Sequence, residues 1–158
     1  MVTNRPKCIN INCAVSDNDG FADFLCNEGY TEMLSGLKSE YDDRHLNRIF
    51  DENKQTGSTS QVINIQTKRL ETICRENNIN HINYLSIDVE GGEFKVINSI
   101  NFDNLFIDVI GFENNYHDTQ DICINYLKSK GYLKLPDHVA DIFMIHKESK
   151  FLKDVNLN

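Results

Sequence analysis

Along the second half of this chain, apolar positions recur first every second residue and then every third or fourth, and the two periods take turns. Gln61 to Gln66 alternates around Val62, Ile63 and Ile65 and predicts a strand. A helix is expected from Lys68 to Asn77, with Thr67 as its N-cap and Leu70, Ile73 and Cys74 facing inward. His81 to Val89 predicts a central strand and Gly92 to Ile100 its helix. Leu105 to Phe112 is a near-continuous apolar run, the pattern of a strand covered on both faces. Thr119 to Lys130 sets Ile122, Cys123, Tyr126 and Leu127 at helical spacing, with Gly131 at C′. Leu133 to Leu135 and Val139 to His146 read as a closing strand pair turned at Pro136-Asp137-His138, and residues after Lys147 as a frayed tail.

The first half is less regular. Ile9, Ile11, Cys13 and Val15 alternate with Asn10 and Asn12, so Cys8 to Val15 predicts a strand. Ser16 to Gly20 is dense in turn residues, and Phe21 to Cys26 can return as the second arm of a hairpin. A short helix fits Arg44 to Asp51, while the polar run from Lys54 to Ser60 reads as a mobile loop. Strands alternating with helices from Gln61 onward indicate an α/β sheet. The last two strands, joined without a helix, must run antiparallel, because a parallel pair needs a crossover of a dozen or more residues.

Candidate chemistry concentrates at one strand end. Asp88, Glu90 and Glu93 fall within six positions, broken by Gly91 and Gly92, in a strand–turn–helix pattern. In open α/β sheets the carboxyl ends of strands are where ligands bind, although a solvated turn carries acids too. Glu113 closes the next apolar run, and His117 lies four residues further on.

Composition narrows the class. At 158 residues the chain is one domain by length, and its net charge of −8 speaks against nucleic acid or an anionic membrane as partner. No apolar run reaches the roughly 18 residues of a membrane span, and the first residues lack the apolar core of a signal peptide. The five cysteines are odd in number with no CxxC pair, which predicts reduced, mostly buried thiols in a cytoplasmic protein and no metal cluster built from them.

The run Asp88-Val89-Glu90-Gly91-Gly92-Glu93-Phe94 closely resembles the signature of FkbM-type methyltransferases, a branch of the S-adenosylmethionine-dependent class I methyltransferases. Residues 107–113, 126–132 and 141–146 are similar to later parts of that family in the same order, Met33 to Leu37 resembles a Ser-Gly segment that recurs in it, and residues 4–17 look like its third strand. The resemblance implies a Rossmann-like, mostly parallel sheet with an antiparallel terminal strand, spanning residues 1–148 and followed by a tail at 149–158. It implies S-adenosylmethionine as cofactor, with Asp88 at the methionine end and Ala14, Val15, Ser16 and Asp17 near the adenine. Glu90 and Glu113 could face a hydroxyl acceptor, on a sugar or small metabolite, or a divalent cation; no metal ligand set is assigned. His117 is the candidate general base, its alternative being a solvated loop histidine, whereas His45, His81 and His138 are assigned to the scaffold.

One departure stands out. The Gly-rich cofactor turn and the ribose-binding acid of the family have no counterpart before residue 8, so the fold is expected to be N-terminally truncated. Two readings follow: an O-methyltransferase, or a non-catalytic remnant or subunit that pairs with a missing half in trans or dimerises through an exposed strand edge. A metal-binding module built on the acids is a third. On the truncated reading the isolated chain binds S-adenosylmethionine weakly or not at all.

Overall fold

Eight strands and four helices make up the computed structural model, which describes residues 6–113, 117–136 and 141–155, with the backbone alone at 117–120. The strands are β1 (Ala14–Val15), β2 (Gly20–Glu28), β3 (Gly36–Leu37), β4 (Thr59–Lys68), β5 (His81–Ile87), β6 (Phe106–Glu113), β7 (Tyr132–Lys134) and β8 (Asp141–His146). The helices are α1 (Asp43–Thr56), α2 (Leu70–Glu76), α3 (Glu93–Asn98) and α4 (His117–Ser129). No helix among the described residues is long and apolar enough to cross a membrane.

The strands form two four-stranded sheets, ordered β1-β4-β2-β3 and β5-β6-β8-β7. Only β1·β4 and β5·β6 run parallel, and the other four pairings are antiparallel. The α/β class holds, but the expected mostly parallel sheet does not. The strongest pairing in the first half joins β2 to β4 over nine antiparallel positions, from Gly20↔Thr67 to Glu28↔Thr59. The expected hairpin between Cys8–Val15 and Phe21–Cys26 is therefore absent. Both segments pair with β4 instead, and only Ala14 and Val15 of the first become strand. Ile9 and Ile11 sit exposed, so their alternation has no face to bury.

The polar run from Lys54 is likewise not a loop. Its first three residues complete α1, which Gly57 ends in the left-handed conformation (φ 73°), and β4 begins at Thr59. Only His45 and Ile49 are buried on α1, so its solvent side carries a loop-like composition. Thr67 lies within β4 and caps nothing. Asp19 takes the role, accepting from Arg69 N at 2.8 Å and from Thr72 Oγ1 at 2.7 Å at the start of α2.

The second sheet carries the core. Ile107, Ile110, Leu127 and Met144 are wholly buried, with Val96, Ile97, Leu105, Phe112 and Cys123 packed in the same cluster. β6 occupies an interior place between β5 and β8, which explains its unbroken apolar run. β5, expected to be central, is an edge strand whose Tyr84 is half exposed. Of the expected inward face of α4, Cys123 and Leu127 are buried, but Ile122 is exposed and Ile124 takes its place. All five cysteines are free thiols, two of them buried.

Asp108 is a carboxylate buried inside this core. His81 Nε2 lies 2.7 Å from its Oδ2, Asn83 Nδ2 donates to the same oxygen at 3.0 Å, and the hydroxyl of buried Ser149 also bonds it, tying residues beyond Lys147 to the sheet. Burial pushes its carboxyl up, yet the hydrogen bonds from Ser149, Asn83 and His81 outweigh this and hold it below its ordinary value of 3.8. Its stabilising contribution is therefore complete above about pH 4 and is lost as pH falls through the depressed folded-state value. Asp108→Asn is expected to cost about 1–3 kcal/mol at pH 7, and urea melts should show that gap closing below about pH 4. A gap independent of pH would contradict the assignment.

Candidate functional site

The turn after β5 brings the acids together. Because β5 and β6 are parallel and paired from His81↔Phe106 to Ile87↔Phe112, their carboxyl ends coincide, and Asp88 and Glu113 emerge side by side. One carboxylate oxygen each from Asp88, Glu90 and Glu113 lies within 4.8 Å of the others. Glu90 adopts a left-handed backbone (φ 55°), uncommon for a residue with a Cβ, and Gly91 follows at φ 112°. Gly91 must lack a side chain here, because a Cβ would come within 2.7 Å of the Glu40 carbonyl. Glu93 Oε1 accepts from Gly91 N at 3.1 Å and so ties the turn to the first residue of α3.

The segment before α1 closes over this turn. A short 3-10 turn at Gly29–Leu34 leads through β3 to Glu40, whose carboxylate pairs with Lys95 Nζ at 2.8 Å. Gly36 packs where a Cβ would meet Tyr41 Oη at 2.8 Å and Glu90 Cβ at 3.2 Å. Between this segment, β1 and the Asp88 turn lies a cavity of about 300 Å³. Its walls include Ala14, Val15 and Ser16 on one side, Ser35, Gly36, Leu37 and Glu40 on another, and Asp88, Gly92 and Lys95 on the third. A second depression of about 230 Å³ lies across Asp88, bounded by Tyr84, Ser86, Gly111, Glu113, Asp141 and Phe143. Asp88 lines both.

The electrostatics single out Glu90. Burial, then the neighbouring carboxylates of Asp88, Glu113 and Glu93, push its carboxyl up to about 7, with Arg48 offsetting part of the effect. Beside it, His45 is buried under Tyr41, with ring centroids 4.7 Å apart and stacked. Burial holds its imidazole below the ordinary histidine value, and the positive charge of Arg48 acts in the same direction. His45 Nε2 stands 3.6 Å from Glu90 Oε2 and makes no hydrogen bond. Burial and the Glu90 charge raise the Tyr41 hydroxyl, which donates to the Leu34 carbonyl at 2.7 Å.

Of the residues singled out from the sequence, Ala14, Val15, Ser16 and Asp88 therefore share one cavity, while Asp88, Glu90 and Glu113 share one acidic cluster. Asp17 is exposed, does not line the cavity, and accepts from Ser16 Oγ at 3.2 Å. His117 opens α4, but its side chain lies outside the described residues, as does His138. Three residues were missed: Glu40, Lys95 and His45. The Ser35-Gly36 pair was a readable signal for the first, since a glycine in that position permits close approach. His45 had none, because its neighbour Glu90 is 45 positions away.

A family model described as Methyltransferase FkbM domain matches residues 2–134. No curated protein and no solved structure matches.

Proposed function

This chain belongs to the FkbM methyltransferase domain family, and on that footing we propose that it transfers a methyl group from S-adenosylmethionine to a hydroxyl of a sugar or small metabolite. The observation that carries the reading is the position of Asp88, which borders both the larger cavity and the smaller depression.

The larger cavity offers a donor set that suits this cofactor. Asp88 presents a carboxylate for an ammonium group, and Lys95 a cation for a carboxylate. Val15, Phe24 and Leu37 supply apolar wall for an aromatic base. Glu40 is the one further carboxylate in the wall, suited to accept from ribose hydroxyls once Lys95 turns to the ligand. In this reading the segment Ser35 to Glu40 supplies one wall of the cofactor cavity.

When bound, the cofactor supplies an activated methyl group: a carbon–oxygen bond forms, the carbon–sulfur bond breaks, and the sulfonium leaves as a neutral thioether. The chain's own residues position the acceptor and take up its proton. Tyr84, Ser86 and Glu113 line the depression assigned to the acceptor, and Glu113, with Glu90 beside it in the acidic cluster, offers a sink for a hydroxyl proton. The supporting experiment offers isotope-labelled S-adenosylmethionine with sugars, small alcohols, amines and thiols. Label should appear as a methyl ether on hydroxyl acceptors and fall at least tenfold in Glu113→Gln. Transfer confined to amines or thiols would overturn the O-methyl assignment.

A further inference from the structure

We propose that the open edge of β4 is a docking surface for a second copy of this chain, joined by antiparallel pairing of β4 with β4 about a two-fold axis at Val62. The backbone shows which groups are available. β2 holds one side of β4 from Glu28↔Thr59 to Gly20↔Thr67, whereas β1 takes the other side only at Thr67 and Lys68. Alternate residues of a strand direct their N–H and C=O groups to opposite edges. Lys68 O accepts from Ser16 N, so the even-numbered residues of β4 face the β1 side. The neighbouring strand agrees. Asp23 O and Asn27 N turn away from β4, towards Lys38 N and Ser35 Oγ, which leaves the even-numbered residues of β2 to bond the odd-numbered ones of β4. Ser60, Val62 and Asn64 therefore present their N–H and C=O groups to an edge that carries no strand among the described residues.

The composition of this edge selects its occupant. Open strand edges are ordinarily blunted by proline, by lysine, by a bulge or by a covering element. Thr59 to Thr67 contains no proline and no charged residue, in a chain of net charge −8. Residues 60–64 are exposed in succession, so both faces of the strand are open as well as its edge. Two acidic chains repel one another over most of their surface, and this neutral stretch is where they can approach. A strand that pairs with its own copy must also be self-complementary. About Val62 it is: Val62 meets Val62, Ser60 meets Asn64 in both directions, and Gln61 meets Ile63. Every outward N–H then faces a C=O, a β-branched pair sits on the axis, and no charge opposes another.

The interface leaves the cavity in place. Ser35, Gly36 and Leu37 lie at the opposite edge of this sheet, at β3, and the pairing stops short of the residues that hold Ala14 and Val15. It adds main-chain hydrogen bonds to an existing sheet, the mode by which extended segments dock on open edges. It stands independently of the methyl-transfer reading.

The test is sedimentation equilibrium of the purified chain without cofactor, where a reversible dimer of the 18.2 kDa chain is expected. Val62→Pro removes an outward N–H and spares the ladder to β2, so it should weaken association about tenfold or more with the circular dichroism spectrum unchanged. Val62→Lys and Val62→Glu set like charges opposite each other on the axis and should each weaken association to a similar degree. An equimolar mixture of those two should associate again, and this pair decides the matter if Val62→Pro does not fold. A wild-type chain that stays monomeric, as it would if Cys8 to Cys13 folded onto the edge instead, overturns the proposal. So does a dimer that none of the variants weakens, or a mixture that associates no better than its components.

Discussion

Asp88→Ala lowers kcat/KM for methyl transfer by about 10²–10⁴-fold while leaving the fold in place. Asp88 is an exposed carboxylate at the rim of two cavities, so its removal creates no buried void. What it removes, on the proposed reading, is the charged acceptor for the ammonium end of the cofactor. Hydrogen bonds to charged groups contribute about 1.5–3 kcal/mol each, and two such bonds lost together give that range of rate. Asp88→Asn, which keeps the shape and one acceptor oxygen, should fall between wild type and Ala. Steady-state rates with labelled cofactor, alongside thermal melts, distinguish this from unfolding. A rate loss of less than threefold in a folded Asp88→Ala protein would remove Asp88 from the cofactor site.

Ile110→Ala destabilises the protein by about 2–5 kcal/mol. Ile110 is fully buried in the middle of β6, paired with Leu85 of β5 on one side and Met144 of β8 on the other. Truncation leaves a cavity that β6 cannot collapse, because strands hold it on both edges. Lys54→Ala, on the solvent side of α1, should by contrast fall within about 0.5 kcal/mol of wild type. Urea melts of the two variants give the comparison directly. Equal losses would mean that the core lies elsewhere.

How much of this was readable in the sequence depended on how local its cause was. β6 and the β5–β6 parallel pair were readable because apolar runs of strand length and an intervening helix leave few alternatives. The meeting of Asp88 and Glu113 followed from that pairing. The first half resisted for the opposite reason. β4 pairs with β2 across more than thirty residues, a contact that periodicity cannot announce, and the nearer hairpin between Cys8–Val15 and Phe21–Cys26 looked just as good. The last turn of α1 was hidden by its polar exposed face, and Thr67 looked like a cap because a threonine before a helical pattern usually is one. The site was half visible. Residues within the Asp88 turn were found from their spacing, whereas Glu40 reaches it only through the fold of the segment before α1, and His45 through the first turn of α1.

The central claim is that the cavity between β1, the Ser35–Glu40 segment and the Asp88 turn holds S-adenosylmethionine. Calorimetric titration of the cofactor into the chain tests it most directly, with Asp88→Ala and Glu40→Ala measured beside wild type. Saturable one-to-one binding is predicted for wild type, absent in Asp88→Ala and weakened at least tenfold in Glu40→Ala. No binding by a folded wild-type chain, or binding that neither variant disturbs, would contradict it.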